Sequence, residues 1–258
     1  ILVSAGPSLA KQMDILKQAK GHAFILCVDT ALRKLLAEGI EPDAVIGVDA
    51  NKWAAYHEDY IPHYERMMWI AETICNHAIM RYVKSYRNVM LDSGDQINND
   101  IYKKAGCELP SLPTGGSVAN TAFALLELWG FETVILVGQD LALTGNRRHA
   151  DSETDAEKEA QEKGYNIIPI EGYYGDTVKT RDDYLTYLKW FESEIAITDC
   201  KRVINATEGG AMIHGATNMP LQEALEQYAK ESYDIRAIID QVPRTLSEKD
   251  KDELEKRL

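Results

Sequence analysis

The chain has 258 residues, 45% hydrophobic and 27% charged, with a net charge of −13. That is enough chain for one large domain with an appendage. The charge argues against a nucleic-acid partner, which would favour a basic face, and no run of 18 or more apolar residues is present, so no membrane-spanning helix is expected. Cys27, Cys75, Cys107 and Cys200 are far apart and form no CxxC pair, which predicts reduced thiols and a cytoplasmic setting rather than a disulfide frame or a zinc site.

The first apolar run, residues 1–5, predicts a short buried strand, and residues 8–20 a helix with Leu9, Met13, Ile15 and Leu16 on one face. HAFILCV (22–28) is a second strand, ALRKLLAEG (31–39) a helix closed by Gly39, and AVIGV (44–48) a third strand. MMWIAET (67–73) and NVML (88–91) continue the alternation. SVANTAFALLELWG (117–130) is a helix and TVILVG (133–138) a strong central strand. Residues 144–179 lack a clear period, and a stretch of that length inside a compact domain is expected to be functional or disordered. RDDYLTYLKWFESEIA (181–196) returns to helix, RVINA (202–206) is a last strand, and helical patterns occupy 220–229 and 247–258.

Near-continuous apolar strands alternating with helices predict an α/β fold: a Rossmann-like parallel sheet with helices on both faces, followed by C-terminal helices. The expected division is a domain over residues 1–221 and a helical extension over 222–258. That extension would lead to a further domain, in keeping with a chain that opens inside a strand pattern without Met.

In parallel sheets ligands sit at the carboxyl ends of strands, near the point where strand order reverses. Polar or Gly-rich residues follow each strand here: Gly6-Pro7-Ser8-Leu9, Asp29, Asp49 and Asn51, Thr114-Gly115-Gly116-Ser117, and Gln139-Asp140. Gly6 permits a tight turn, Pro7 suits a first helical position, and Ser8 and Ser117 can cap N–H groups. Each turn alone is an ordinary strand-to-helix connection; two in one sheet point to an anion or nucleotide site. There is no GxxxxGK[ST] and no GxGxxG, which argues against an ordinary P-loop or dinucleotide site. No metal site is expected. Asp250-Lys251-Asp252 lies in a tail of alternating charge, so a Mg²⁺-neutralised diphosphate leaving group has little support, whereas a nucleoside monophosphate can be held by N–H and hydroxyl donors.

VSAGPSL, GIEPDAVIGVDAN, TGGSVANTAFALLELWGFETVILVGQDLALTG with the RHAD that follows, and INATEGGAMIHGATNMPL together resemble the central domain of the motility accessory factor (Maf) flagellin glycosyltransferases, to about Leu221. That domain is similar to one family of bacterial sialyltransferases. The resemblance implies transfer of a nonulosonic acid (pseudaminic or legionaminic acid) from its CMP conjugate to Ser or Thr of flagellin, with the CMP-activated sugar as donor substrate and no cofactor. It places Gly6, Pro7, Ser8, Asn51, Ser117 and Asp140 on the nucleotide side. The archaeal 6-hydroxymethylpterin diphosphokinase-like family shares the GPSL and GI-x-PD elements, and pyrophosphoryl transfer is the rival activity. A binding domain without turnover is the second rival.

In the sialyltransferase relatives a histidine base precedes a helix, but Gly175–Thr180 contains none. His149, on the loop after Asp140, can accept a hydroxyl proton near neutral pH, with Asp140 as the other catalytic candidate. Arg147 and Arg148 suit a phosphate or sugar carboxylate. Tyr173 and Tyr174 either pack a lid or donate to the leaving phosphate, and Glu208 and His214 are candidates for the acceptor side.

Overall fold

The computed structural model describes residues 1–50, 61–75, 85–94, 96–104, 106, 109–144 and 156–243. In chain order its elements are β1 (Leu2–Val3), α1 (Met13–Leu16), β2 (Leu26–Val28), α2 (Asp29–Ala37), β3 (Ala44–Gly47), α3 (Ile61–Tyr64), β4 (Met68–Glu72), β5 (Arg87–Leu91), α4 (Gln96–Lys104), α5 (Val118–Leu128), β6 (Thr133–Val137), α6 (Ala156–Glu162), β7 (Ile167–Glu171), β8 (Thr177–Arg181), α7 (Asp182–Ile195), β9 (Arg202–Asn205), β10 (Thr217–Asn218), α8 (Leu221–Tyr228) and α9 (Ile235–Gln241).

The chain divides into two compact units, one formed by residues 1–46 and 113–232, the other by residues 47–112 and 233–258. In the first unit the strands run in the order β10-β9-β6-β1-β2-β3. Every described pairing among them is parallel, with Leu2 beside both Leu26 and Leu136, and Ile135 beside Ile204. The fold is the α/β, Rossmann-like one that the alternation predicts. Chain order descends from β3 to β1, then jumps to β6, β9 and β10, so the order reverses between β1 and β6.

Leu2, Val3, Leu26, Cys27, Ile46, Leu136 and Val137 are buried, as strands covered on both faces must be. Helix α5 packs on β1 and β2. Its sequence VANTAFALLEL is apolar around most of its circumference, and every residue from Ala119 to Leu126 is buried.

Residues 8–20 do not form the single helix that their periodicity predicts. Pro7–Lys11 and Lys17–Ala19 are 3₁₀ turns around the short α1. Gly6 is extended at φ −62°, ψ 159°, and Gln12, between the first 3₁₀ turn and α1, has φ −107°, ψ −1°. The Gln12 amide donates to Ala206 O and, at 3.3 Å, to Glu208 Oε1, tying the break to the loop after β9.

The stretch 144–179, expected to be irregular, contains α6 and an antiparallel hairpin, β7–β8, in register from Ile167–Arg181 to Glu171–Thr177. In the second unit β4 and β5 pair in parallel, Met68 beside Arg87 through Glu72 beside Leu91. There Arg87 donates to the Ile239 and Val242 carbonyls at the end of α9. The helical pattern at 247–258 lies outside the described residues. No helix among the described residues is long and apolar enough to cross a membrane.

Candidate functional site

A cleft of about 160 Å³ opens at the carboxyl ends of β1 and β6, where the strand order reverses. Its walls come from Ser4–Gly6 after β1, Val28 and Thr30 around the start of α2, Ser117–Ala119 at the start of α5, Gly138–Ala142 after β6, and Tyr184 and Tyr187 on α7. This is the position at which the ends of parallel strands leave room for a ligand.

Ser117 caps α5: its Oγ accepts the Asn120 N–H at 3.2 Å and donates to Asn120 Oδ1 at 2.7 Å. The first N–H groups of a helix have no partner within it, and Val118 and Ala119, at that end of α5, stand on the cleft wall. Opposite them, the Gly6 N–H donates to Gly138 O at 2.8 Å, stitching the turn after β1 to the turn after β6.

Asp140 joins those two turns. It is only 2% exposed. Its Oδ1 accepts the Ser8 hydroxyl at 2.8 Å, and the Ser8 N–H lies 3.2 Å from both carboxylate oxygens. Burial pushes its carboxyl above the usual range, and the hydrogen bonds from Ser8 oppose that rise. A Cβ at Gly6 would overlap Asp140 Oδ2 and Gly138 O, so this approach requires glycine.

The surrounding backbone is strained. Leu141 and Glu208 adopt positive φ, 48° and 54°. The conformation is held by Thr180 Oγ1 donating to Leu141 O at 2.7 Å and by Ala211 N–H donating to Asp140 O at 2.7 Å. Ser4 Oγ donates to Gln139 Oε1 at 2.5 Å, and the Gln139 N–H donates to Thr207 Oγ1 at 3.1 Å. The loops after β1, β6 and β9 therefore form one connected scaffold under the cleft.

Of the residues singled out in the sequence, Gly6, Ser117, Gln139 and Asp140 meet on the cleft wall. Pro7, Ser8 and Leu9 are buried behind it. Asp29 is buried and accepts the Thr30 N–H at 2.7 Å and hydroxyl at 3.1 Å, holding Thr30, which does line the cleft. Thr114 is exposed and Gly115 packs against the Trp190 ring. Asp49 is half-buried in the second unit. Asn51, Arg147, Arg148 and His149 lie outside the described residues.

Tyr173 and Tyr174 occupy the β7–β8 turn. Tyr173 is buried, and burial pushes its phenol up to about 12. Tyr174 is 71% exposed, and its hydroxyl donates to Glu208 O at 3.1 Å. Glu208 Oε1 accepts the Leu221 N–H at 3.0 Å, capping α8. His214 Nε2 lies 3.4 Å from Glu171 Oε2 and 4.0 Å from Glu192 Oε1.

The tyrosines that do line the cleft, Tyr184 and Tyr187, were not singled out in the sequence. Their signal was present: two aromatic residues at i and i+3 lie on one face of a helix that follows a strand end. Among the described residues, no three His, Cys, Asp or Glu side chains gather as a metal site.

A parallel α/β sheet with a cleft at its order reversal defines a Rossmann-like α/β protein. The chain belongs to the 6-hydroxymethylpterin diphosphokinase MptE-like family, whose model matches residues 1–146. Its fold is similar to that of the MAf glycosyltransferase from Magnetospirillum magneticum AMB-1, with a TM-score of 0.71 and 20% sequence identity. That likeness covers 98% of this chain and 37% of the other, and at such identity it is a likeness of fold. No curated protein matches the sequence.

Proposed function

We propose that this chain is an inverting glycosyltransferase domain that moves a nonulosonic acid, pseudaminic or legionaminic acid, from its CMP conjugate to Ser or Thr of flagellin, in the cytoplasm and without a metal ion. The observation that carries the reading is the cleft between the Gly6 turn and the Ser117-capped end of α5, at the order reversal of a sheet similar to that of a glycosyltransferase. The sequence motifs shared with flagellin glycosyltransferases run through the segments that build this cleft.

In this reading the N–H groups at the start of α5, with Arg147 and Arg148, hold the phosphate and the sugar carboxylate. His149 takes the proton of the acceptor hydroxyl. The hydroxyl oxygen attacks the anomeric carbon from the face opposite the phosphate. The bond from that carbon to the phosphate oxygen breaks, and CMP leaves with the electron pair. Asp140 is the carboxylate on the described cleft wall, and its hydrogen bonds from Ser8 suit it to ordering the loop. Glu208 and His214 belong to the acceptor side in this reading.

A second reading has its own support in the name of the matched family: pyrophosphoryl transfer from ATP to 6-hydroxymethylpterin, with Mg²⁺. One assay separates the two. The 258-residue chain incubated with CMP-nonulosonate and flagellin should release CMP and add the sugar mass to flagellin. Formation of AMP from ATP, Mg²⁺ and 6-hydroxymethylpterin, with flagellin unmodified, would establish the second reading instead. CMP-nonulosonate binding with neither product would mark a domain without turnover.

A further inference from the structure

Arg181 is a buried cation, 2% exposed, yet it reaches no ligand-facing surface. Its guanidinium lies 4.2 Å from the centroid of Tyr165 and 4.2 Å from that of Tyr184, filling the gap between the two rings. The fork is fixed in plane by Asp183, with Nε 2.9 Å from Oδ1 and Nη2 2.5 Å from Oδ2. The same Asp183 Oδ1 accepts the Tyr184 N–H at 2.9 Å. The Tyr184 ring is thus backed by a planar cation that cannot turn, and it stands on the cleft wall.

Tyr187 stands beside it, 6.2 Å away between centroids and tilted by 43°. Its carbonyl accepts Asn120 Nδ2 at 3.4 Å, joining α7 to the capped end of α5. Its ring edge closes on Gly116, where a Cβ would come within 3.1 Å of Tyr187 Cε1 and where φ is +90°. Two half-buried aromatic side chains fixed from behind, facing an open cleft, are a costly arrangement for packing alone, because both rings keep apolar area in reach of solvent.

We propose that Tyr184 and Tyr187 form a stacking wall for the flat heterocycle of the ligand, and that Arg181 is a positioning residue that holds the wall in place. The proposal rests on the reading of the cleft as a nucleotide site and names the part of the nucleotide read there. Gln139 on the cleft lining offers a polar edge beside the aromatic wall. Sequence tolerance is expected of the wall itself, since every base has a π-face.

The test compares CMP with ribose 5-phosphate, which carries the phosphate and sugar without the ring, by calorimetry on the 258-residue chain. Tyr184→Ala should weaken CMP binding by roughly 10- to 100-fold and leave ribose 5-phosphate within twofold. Tyr184→Phe should retain CMP binding, since the ring remains. Arg181→Lys, which keeps the charge but loses the planar fork, should weaken CMP and spare ribose 5-phosphate, provided circular dichroism shows an unchanged fold. CMP binding unchanged in Tyr184→Ala, or ribose 5-phosphate binding as tightly as CMP to the parent chain, overturns the proposal. A parent chain that binds 6-hydroxymethylpterin but not CMP, with that binding lost in Tyr184→Ala, sinks the CMP reading and keeps the wall. If neither ring compound binds, the wall falls as well.

Discussion

The Ser8 hydroxyl is committed to Asp140: Oγ donates to Oδ1 at 2.8 Å, and the Ser8 N–H lies 3.2 Å from both carboxylate oxygens. The serine of the turn after β1 therefore acts within the protein, holding the ends of β1 and β6 together beneath the cleft. Ser8→Ala should lower the free energy of unfolding by about 1–3 kcal/mol, because a buried carboxylate loses a charge-assisted partner. Urea denaturation measures this. A variant as stable as the parent, with weakened ligand binding, would show instead that Ser8 contacts the ligand.

Gly6 is the second test of that junction. A side chain there meets Asp140 Oδ2 and the Gly138 carbonyl, neither of which can withdraw without breaking the scaffold. Gly6→Ala should destabilise by about 1–3 kcal/mol, and Gly6→Val by more. Thermal unfolding of the pair against the parent checks both the size and the order of the two effects.

Asp140 also sets a pH dependence. Its folded-state pKa is raised by burial, so between the unfolded and folded values the native state holds the proton more firmly. Its contribution to stability is present below the ordinary carboxylate range and is lost as pH rises through the folded value. Asp140→Asn, which cannot titrate, should flatten this fall relative to the parent. Unfolding free energies measured across the acid-to-neutral range show it as a difference in slope. Parallel slopes would mean that Asp140 titrates as an ordinary surface carboxyl.

Tyr173 gives a spectroscopic counterpart at the alkaline end. Burial raises its phenol to about 12, with Glu208 adding to the rise. Tyr173→Phe should remove a late component from the absorbance titration of the tyrosines and leave the earlier ones unchanged. Loss of an early component instead would place Tyr173 in solvent.

Gln139 is on the cleft lining, and Ser4 donates to its Oε1. In the proposed reading its amide N–H₂ meets an acceptor of the ligand. Gln139→Glu keeps the Ser4 hydrogen bond but puts a negative charge on the wall. It should weaken CMP by about tenfold or more, whereas Gln139→Met should cost less. Equal affinities across the three chains would remove Gln139 from the binding surface.

The parallel sheet was legible because β2, β3 and β6 are short apolar runs bounded by Gly, Pro or Asp, and because α5 carries its own cap at Ser117. The hairpin β7–β8 was not. Pro169 interrupts its first strand, while Lys179 and Thr180 give the second a polar pattern. Its order comes from long-range bonds, such as Leu143 N–H to Lys179 O at 2.8 Å and Met212 N–H to Glu171 O at 2.9 Å, that no local pattern announces. The break at residues 7–19 was hidden for a similar reason, since Leu9, Met13 and Leu16 keep helical spacing while Ser8 and Gln12 are held by distant partners. At the cleft, Gly6, Ser117, Gln139 and Asp140 could be read from their places after strands. Tyr184 and Tyr187 required knowing that α7 turns one face toward β1 and β6.

The central claim is that the cleft at the order reversal receives CMP and its nonulosonic acid conjugate without a metal ion. Calorimetric titration of the 258-residue chain with CMP and CMP-nonulosonate, each in EDTA and in Mg²⁺, tests it most directly. The account predicts saturable binding of both ligands with affinities that EDTA does not change. Binding of ATP only with Mg²⁺, alongside no binding of CMP or its conjugate, would contradict it.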